Sequence, residues 1–155
     1  MLLRNLDRLI YILLSGKTQA IISYENKSLG PVRSNITSLS IADALGTYSG
    51  YYNSTSCVMF GTGITPPSYD DYRLSGTPIS GLTVTASVTK EDFGTEMTAV
   101  YTINNTSGAD VTIGEIGLKW TLYMLDRTVL ETPLTIPAGS IGQLTYTIRM
   151  NYPVS

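Results

Sequence analysis

Few residues in this chain could do chemistry, and their spacing decides how far each one goes. Asp70 and Asp71 are adjacent carboxylates shortly after Pro66-Pro67, and clustered oxygens are what a hard cation such as calcium prefers. Neighbouring carboxylates in one loop are more economically read as solvated or turn-capping groups, so neither a metal nor any other cofactor is assigned. Cys57 is the only cysteine and there is no histidine. No disulfide can therefore close within the chain, and a thiol nucleophile would lack its usual base. Flanked by Val58, Met59 and Phe60, the thiol is expected to behave as a small buried hydrophobe. Asp92, Glu96 and Glu115 supply carboxylates of the kind that glycoside hydrolysis uses in pairs. Their spacing is that of surface charges, no catalytic residue is assigned, and the chain is not expected to be an enzyme.

Gly61-Thr62-Gly63 has the glycines of a phosphate loop but neither the lysine nor the helix that should follow, and Pro66-Pro67 prevents that helix from opening. Tyr48, Tyr51 and Tyr52 sit among glycine and serine. Tyrosines so placed can stack on sugars or peptides, since each offers a rigid apolar face and a polar tip. Without converging charged or amide groups, a protein interface is the simpler reading. Five Asn-x-Ser/Thr sequons, at Asn26, Asn35, Asn53, Asn104 and Asn105, are expected by chance in a chain so rich in these residues.

The elements that must position these groups are mainly β. From Gly81 to Lys90, Leu82, Val84, Ala86 and Val88 fall at every second position with threonine and serine between them, the period of a half-buried strand. After the turn-like Glu91 to Gly94, Met97, Ala99, Tyr101 and Ile103 alternate again, which predicts an antiparallel hairpin. Asn104 to Asp110 is turn chemistry. Val111 to Met124 is a longer β-rich run whose phase is expected to shift at Gly114 or Gly117. Asp126-Arg127 reads as a turn into Thr128 to Thr132, Pro133 and Pro137 should limit pairing, and Leu144, Tyr146 and Ile148 mark a last strand. The pattern predicts an antiparallel β-sandwich, Ig-like or jelly-roll-like, with an N-terminal amphipathic α-helix.

That helix is read from Leu2, Leu6, Leu9 and Leu13, spaced four, three and four, with Arg4, Asn5, Asp7 and Arg8 on the other face. Its apolar core is too short and interrupted for a secretory signal. A membrane helix needs roughly 20 apolar residues, so no membrane contact is assigned, and a docking arm for a neighbouring subunit is preferred over a cover for the sheets. The expected organisation is a helical arm over 1–18, a connector over 19–55 and the sandwich over 56–155. Within the connector, Val32 to Ile41 could be a strand and Ser40 to Leu45 a capped helical turn.

The chain has 155 residues, 43% of them hydrophobic and 14% charged, and a net charge of −2. At this length one core buries roughly 70% of the unfolded surface. The charge leaves no basic footprint for nucleic acid, and the Thr/Ser/Gly/Tyr surface suits packing against protein.

Gly61-Thr-Gly-Ile-Thr-Pro-Pro-Ser-Tyr-Asp-Asp-Tyr72, followed by Glu115-Ile-Gly-Leu118, Leu125-Asp-Arg-Thr-Val-Leu130 and Ile136-Pro-Ala-Gly139, resembles small structural proteins of tailed bacteriophages. The resemblance extends from Phe60 to Met150 and rests on the order and spacing of the pieces; the N-terminal helix is outside it. It implies a β-sandwich that assembles on a particle: a non-enzymatic virion protein of capsid-decoration, head-tail or tail type. Its partners would be other virion proteins and copies of itself, and its location the virion, assembled in the host cytoplasm. The alternative is an adhesin-like or carbohydrate-binding β-sandwich module using Tyr48, Tyr51 and Tyr52. The expected assembly contacts are Leu2, Leu6, Leu9, Leu13, Tyr48, Tyr51 and Tyr52.

Overall fold

The computed structural model describes residues 1–15, 19–25, 28–32, 41–90 and 96–149. In chain order the elements are α1 (Arg4–Ser15), β1 (Gln19–Ile22), β2 (Ser28–Val32), α2 (Ile41–Leu45), β3 (Cys57–Gly61), β4 (Leu82–Lys90), β5 (Glu96–Asn105), β6 (Val111–Trp120), β7 (Tyr123–Ile136) and β8 (Ile141–Arg149). The chain is mainly β. Apart from a β1-β2 pair, its strands form two antiparallel three-stranded sheets, ordered β3-β6-β7 and β4-β5-β8.

Alternation builds the second sheet as the sequence predicts. β4 pairs with β5 from Leu82↔Asn105 to Lys90↔Met97 without a slip, and β8 pairs along the other side of β5. Because neighbouring side chains point to opposite faces, Met97, Ala99, Tyr101 and Ile103 of β5 and Leu144, Tyr146 and Ile148 of β8 are all buried on one face. They share a single apolar core with Val58 and Phe60 of β3, Ile113, Ile116 and Leu118 of β6, and Leu125 of β7. Phe60 meets Tyr101 edge-on across the two sheets, ring centroids 5.6 Å apart. Leu6 and Leu9 of α1 and Ile41, Ala44 and Leu45 of α2 belong to the same core. The expected arm and connector thus contribute to the core that the sequence assigned to 56–155 alone.

The first sheet departs from simple alternation. At Gly114 the pairing passes from Ile113↔Leu134 to Glu115↔Val129, so two steps along β6 face five along β7. This irregularity accommodates Pro133, which cannot donate to a ladder, and pairing with β6 lapses between Val129 and Leu134, as the prolines were expected to limit it. It also switches phase: Ile113 is inward before Gly114, Ile116 and Leu118 after it. A phase shift was expected at Gly114 or Gly117; it falls at Gly114, and a second lies between Leu118 and Lys119.

Asp126-Arg127 is not a turn. The reversal lies at Thr121-Leu122, closed by the Trp120↔Tyr123 pair, and both charged residues lie within β7, buried. Composition misled here because charged pairs usually mark loops, whereas these two are satisfied by partners distant in sequence. The expected turn at Ser40 to Leu45 is present as α2 from Ile41 on, and a strand over Val32 to Ile41 falls largely outside the described residues.

Candidate functional site

The outer face of β3-β6-β7 is covered by the Gly61 to Thr77 segment, with Leu3, Leu74 and Tyr52 packed beside Cys57, Met59 and Met124 in a second, smaller apolar cluster. Within this cover lies the densest polar arrangement among the described residues. Glu115 of β6 is 0% exposed and Arg127 of β7 is 1% exposed, and Arg127 Nε donates to Glu115 Oε2 at 2.7 Å. The other carboxylate oxygen, Oε1, accepts from the backbone N–H groups of Gly63 at 3.1 Å and Gly76 at 2.7 Å. Oε2 also accepts from Ser75 N at 3.1 Å and Ser75 Oγ at 3.2 Å. Arg127 continues outward, donating from Nη1 to Asp71 Oδ2 at 2.5 Å and from Nη2 to the Thr65 carbonyl.

Five donors converge on one carboxylate, and the electrostatics follow. Burial pushes the Glu115 carboxyl up, but the Gly76 N–H, the Arg127 guanidinium and the Ser75 N–H outweigh it and hold its pKa below the ordinary carboxylate value. Burial disfavours the charge on Arg127, yet Glu115 and Asp71 raise its pKa further. The pair stays ionised, and the carboxylate has no surface through which a substrate could reach it.

Close approach explains the glycines. A Cβ on Gly63 would lie 2.2 Å from Glu115 Oε1 and 2.6 Å from Gly76 N. Gly61-Thr62-Gly63 therefore needs glycine for space beside a buried carboxylate.

A second arm of the network lies on the inward side. Asp126 accepts from the buried Tyr146 hydroxyl of β8 and stands 3.0 Å from the Met1 amino group. The extra β7 residue at the Leu118/Lys119 shift lets Asp126 turn inward while Arg127 turns out. Lys119, fully buried, donates to the carbonyls of Asn53, Thr55 and Thr121. Cys57 lies beneath them, buried, its thiol pKa raised by desolvation and only partly offset by Lys119.

The expected site residues disperse. Leu6 and Leu9 lie in the chain's own core, where the sequence had placed them against a neighbour: α1 packs against β1 and β7, and the core takes them up in cis. Leu2 is half-buried and forms an isolated bridge with Asp126, and the Leu13 side chain lies outside the described residues. Leu3, beside that leucine stripe in the sequence, is fully buried on the outer face. Tyr48 is half-buried, stacked on Phe60, and donates to the Ile79 carbonyl at 2.6 Å; burial first, then Tyr51 and Cys57, push its hydroxyl up to about 12. Tyr52 stacks on Tyr24 and accepts from Leu74 N at 2.9 Å. Only Tyr51 of the three is exposed, at 68%, so they make no common aromatic platform.

The carboxylates also separate. Asp71 pairs with Arg127 and Asp70 with Arg4 Nε at 2.8 Å. Glu96 pairs with Arg149 on the other sheet, and Asp92 lies outside the described residues. Among the described residues no cluster of three or more His, Cys, Asp or Glu side chains is placed to hold a metal, and no helix is long and apolar enough to cross a membrane.

The sequence signal for the clamp was the pair Glu115 and Arg127 inside apolar β-rich runs. Only the fold shows that their partners are main-chain groups around residues 63–76. No family model matches the chain, and no curated protein or solved structure matches it either.

Proposed function

We propose that this chain is a non-enzymatic structural protein of a tailed-bacteriophage virion that works by protein–protein assembly. Its two sheets are read as a β-sandwich, with α1 as an amphipathic helix whose apolar side closes the core. The observation that carries the reading is a convergence. Three of the four segments on which the phage resemblance rests, Gly61 to Tyr72, Glu115 to Leu118 and Leu125 to Leu130, are distant in sequence but meet in one clamp through Glu115, Arg127 and Asp71; Ile136 to Gly139 lies outside it.

The clamp's physical output is a rigid loop. Thr65 and Pro66 carbonyls are tied to Arg127, Asp70 to Arg4, and the Tyr69 hydroxyl to Asp7. Ile64 nevertheless remains 69% exposed and Tyr69 39% exposed. An ordered loop presenting apolar side chains loses little conformational freedom on binding, which is how preorganisation raises affinity. A protein that holds such a loop with a fully buried ion pair is equipped to fit a neighbour.

The test is incorporation. A tagged copy supplied in trans during phage production should co-purify with particles through a density gradient, and Ile64→Asp should reduce its incorporation while leaving its melting temperature unchanged. A tagged chain found only in the soluble fraction, with no particle-bound copy detected by mass spectrometry, overturns the proposal.

A further inference from the structure

Four strands lie at the edges of the two sheets, and they are not equivalent. The outer edge of β3 is occupied: Val58 N donates to the Thr47 carbonyl at 2.8 Å, Ser49 N to the Val58 carbonyl at 3.1 Å and Ile79 N to the Phe60 carbonyl at 2.9 Å. The outer edge of β7 is covered near its start by the N-terminal segment, where Leu3 N donates to the Leu125 carbonyl at 2.8 Å and Arg127 N to the Met1 carbonyl at 3.0 Å; Pro133 interrupts it later. Among the described residues, no strand pairs with the outer edges of β4 and β8.

Burial separates these two. The inward side chains of β8, Leu144, Tyr146 and Ile148, are buried. Those of β4, Leu82, Val84, Ala86 and Val88, touch the core but remain only half-buried along the whole strand. β4 also lacks the usual protections of an edge. It has no proline and no bulge, and its one charged residue, Lys90, is at the end.

We infer that β4 is a self-pairing edge, joining antiparallel to β4 of a second copy about a two-fold axis at Ala86 to make a continuous six-stranded sheet. The strand's own sequence argues for this occupant. Two-fold pairing about Ala86 sets Thr83 opposite Thr89 and Thr85 opposite Ser87 of the partner copy on the outer face, and Val84 opposite Val88 on the inner face. Thr–Thr and Thr–Ser pairs are among the favourable cross-strand neighbours, and the valines set apolar surface against apolar surface. The two Lys90 side chains fall at opposite ends, about 27 Å apart along the strand direction, so no like charges oppose each other. Pairing would also cover the half-buried apolar stripe. A closed, isologous contact of this kind stops at two copies, whereas β4 joined to β8 would propagate as an open filament.

The inference deepens the assembly reading and rests on it for its biological use, while its geometry is testable on the purified chain. Sedimentation equilibrium should give a concentration-dependent monomer–dimer equilibrium that ends at the dimer. Thr85→Lys with Ser87→Lys places lysines opposite lysines twice and should weaken the dimer about tenfold or more. Thr85→Glu with Ser87→Lys places opposite charges at the same two points and should restore it. All these positions face solvent, and melting curves establish that each variant is folded. A monomer at every concentration, an open-ended series of species, or equal association by both double variants overturns the inference. A monomer that still enters particles defeats only the pairing; a dimer that never enters them defeats only the virion assignment.

Discussion

Burial alternates residue by residue in the β4-β5-β8 sheet, whereas in the β3-β6-β7 sheet all of β3 and seven consecutive residues of β6 are buried. One sheet has a solvent face of threonine, serine and glutamine; the other has a cover on both sides. The difference lies in what each must satisfy. A one-sided sheet needs only apolar side chains inward and polar ones outward. A two-sided sheet that also bears Glu115, Lys119, Asp126 and Arg127 must supply a hydrogen-bond partner for each buried charge, and here it draws them from within itself, from loops, from Tyr146 of the other sheet and from the chain's first residues. A buried charge is tolerable only when so paired, which makes the outer cover a condition for the sheet and not an ornament on it.

The sharpest way to break this comparison is to change the charge at one position in each sheet. Both oxygens of Glu115 accept only from donors, so in Glu115→Gln the new NH2 group must face at least two N–H groups wherever it points. Arg127 also loses a fully buried counter-charge. Removing one partner of a buried pair costs about 3–5 kcal/mol, to be read from urea unfolding. On the other sheet, Thr85→Lys alone should change monomer stability by less than about 0.5 kcal/mol, as surface substitutions usually do. Equal losses would mean that the clamp carries no more than an exposed strand position.

The same carboxylate supplies a pH signature. Because its folded pKa lies below the ordinary carboxylate value, Glu115 contributes stability that is present above the unfolded pKa and is lost as pH falls through the lower, folded value. The wild-type melting temperature should therefore fall on acidification below about 4.5, and Glu115→Gln should show a shallower decline over the same window. Parallel slopes in the two proteins would remove Glu115 from the acid response.

Of intermediate size is Gly63→Ala. The added methyl would meet Glu115 Oε1 and the Gly76 backbone well inside contact distance, and overpacking of this kind costs about 1–3 kcal/mol. Gly139, on a turn with open space around its would-be Cβ but a φ of 73°, gives the contrasting case of a glycine required for conformation alone. A Gly63→Ala protein as stable as wild type would show that the loop can lift from Glu115 without loss.

Legibility followed the same division between sheets. β4, β5 and β8 could be read from Leu82-x-Val84, Met97-x-Ala99 and Leu144-x-Tyr146, because one face is wet and the period survives. β6 and β7 were legible as β-rich but not in detail. Burial on both faces erases alternation, the shifts at Gly114 and after Leu118 change its phase, and Asp126-Arg127 looks like a turn when its partners Tyr146, Glu115 and Asp71 are unseen. The clamp could not be assembled from sequence at all, since three of the donors to Glu115 are backbone N–H groups, which every residue but proline carries. For α1, the leucine spacing carried the buried stripe of Leu6 and Leu9, but spacing cannot say which surface receives it.

The smallest effect concerns the β6-β7 hairpin, where the sequence gives no glycine. Thr121 is the first of two loop residues and has a φ of 49°, a region in which an L side chain costs roughly 1–2 kcal/mol and where such loops favour glycine. The turn is held through backbone atoms: Thr121 N donates to Ser56 Oγ at 3.0 Å, and its carbonyl accepts from Lys119 Nζ at 2.6 Å. Thr121→Gly keeps both bonds and removes the steric conflict, while the unfolded chain gains freedom worth about 0.5–1 kcal/mol against it. The net expectation is a gain of about 0.5–1 kcal/mol, a rise of about 1–4 °C in melting temperature. The same substitution at Thr85, in regular β4, should lower it. A loss at both positions would mean that the Thr121 side chain stabilises the two-sided sheet through packing that outweighs its backbone strain.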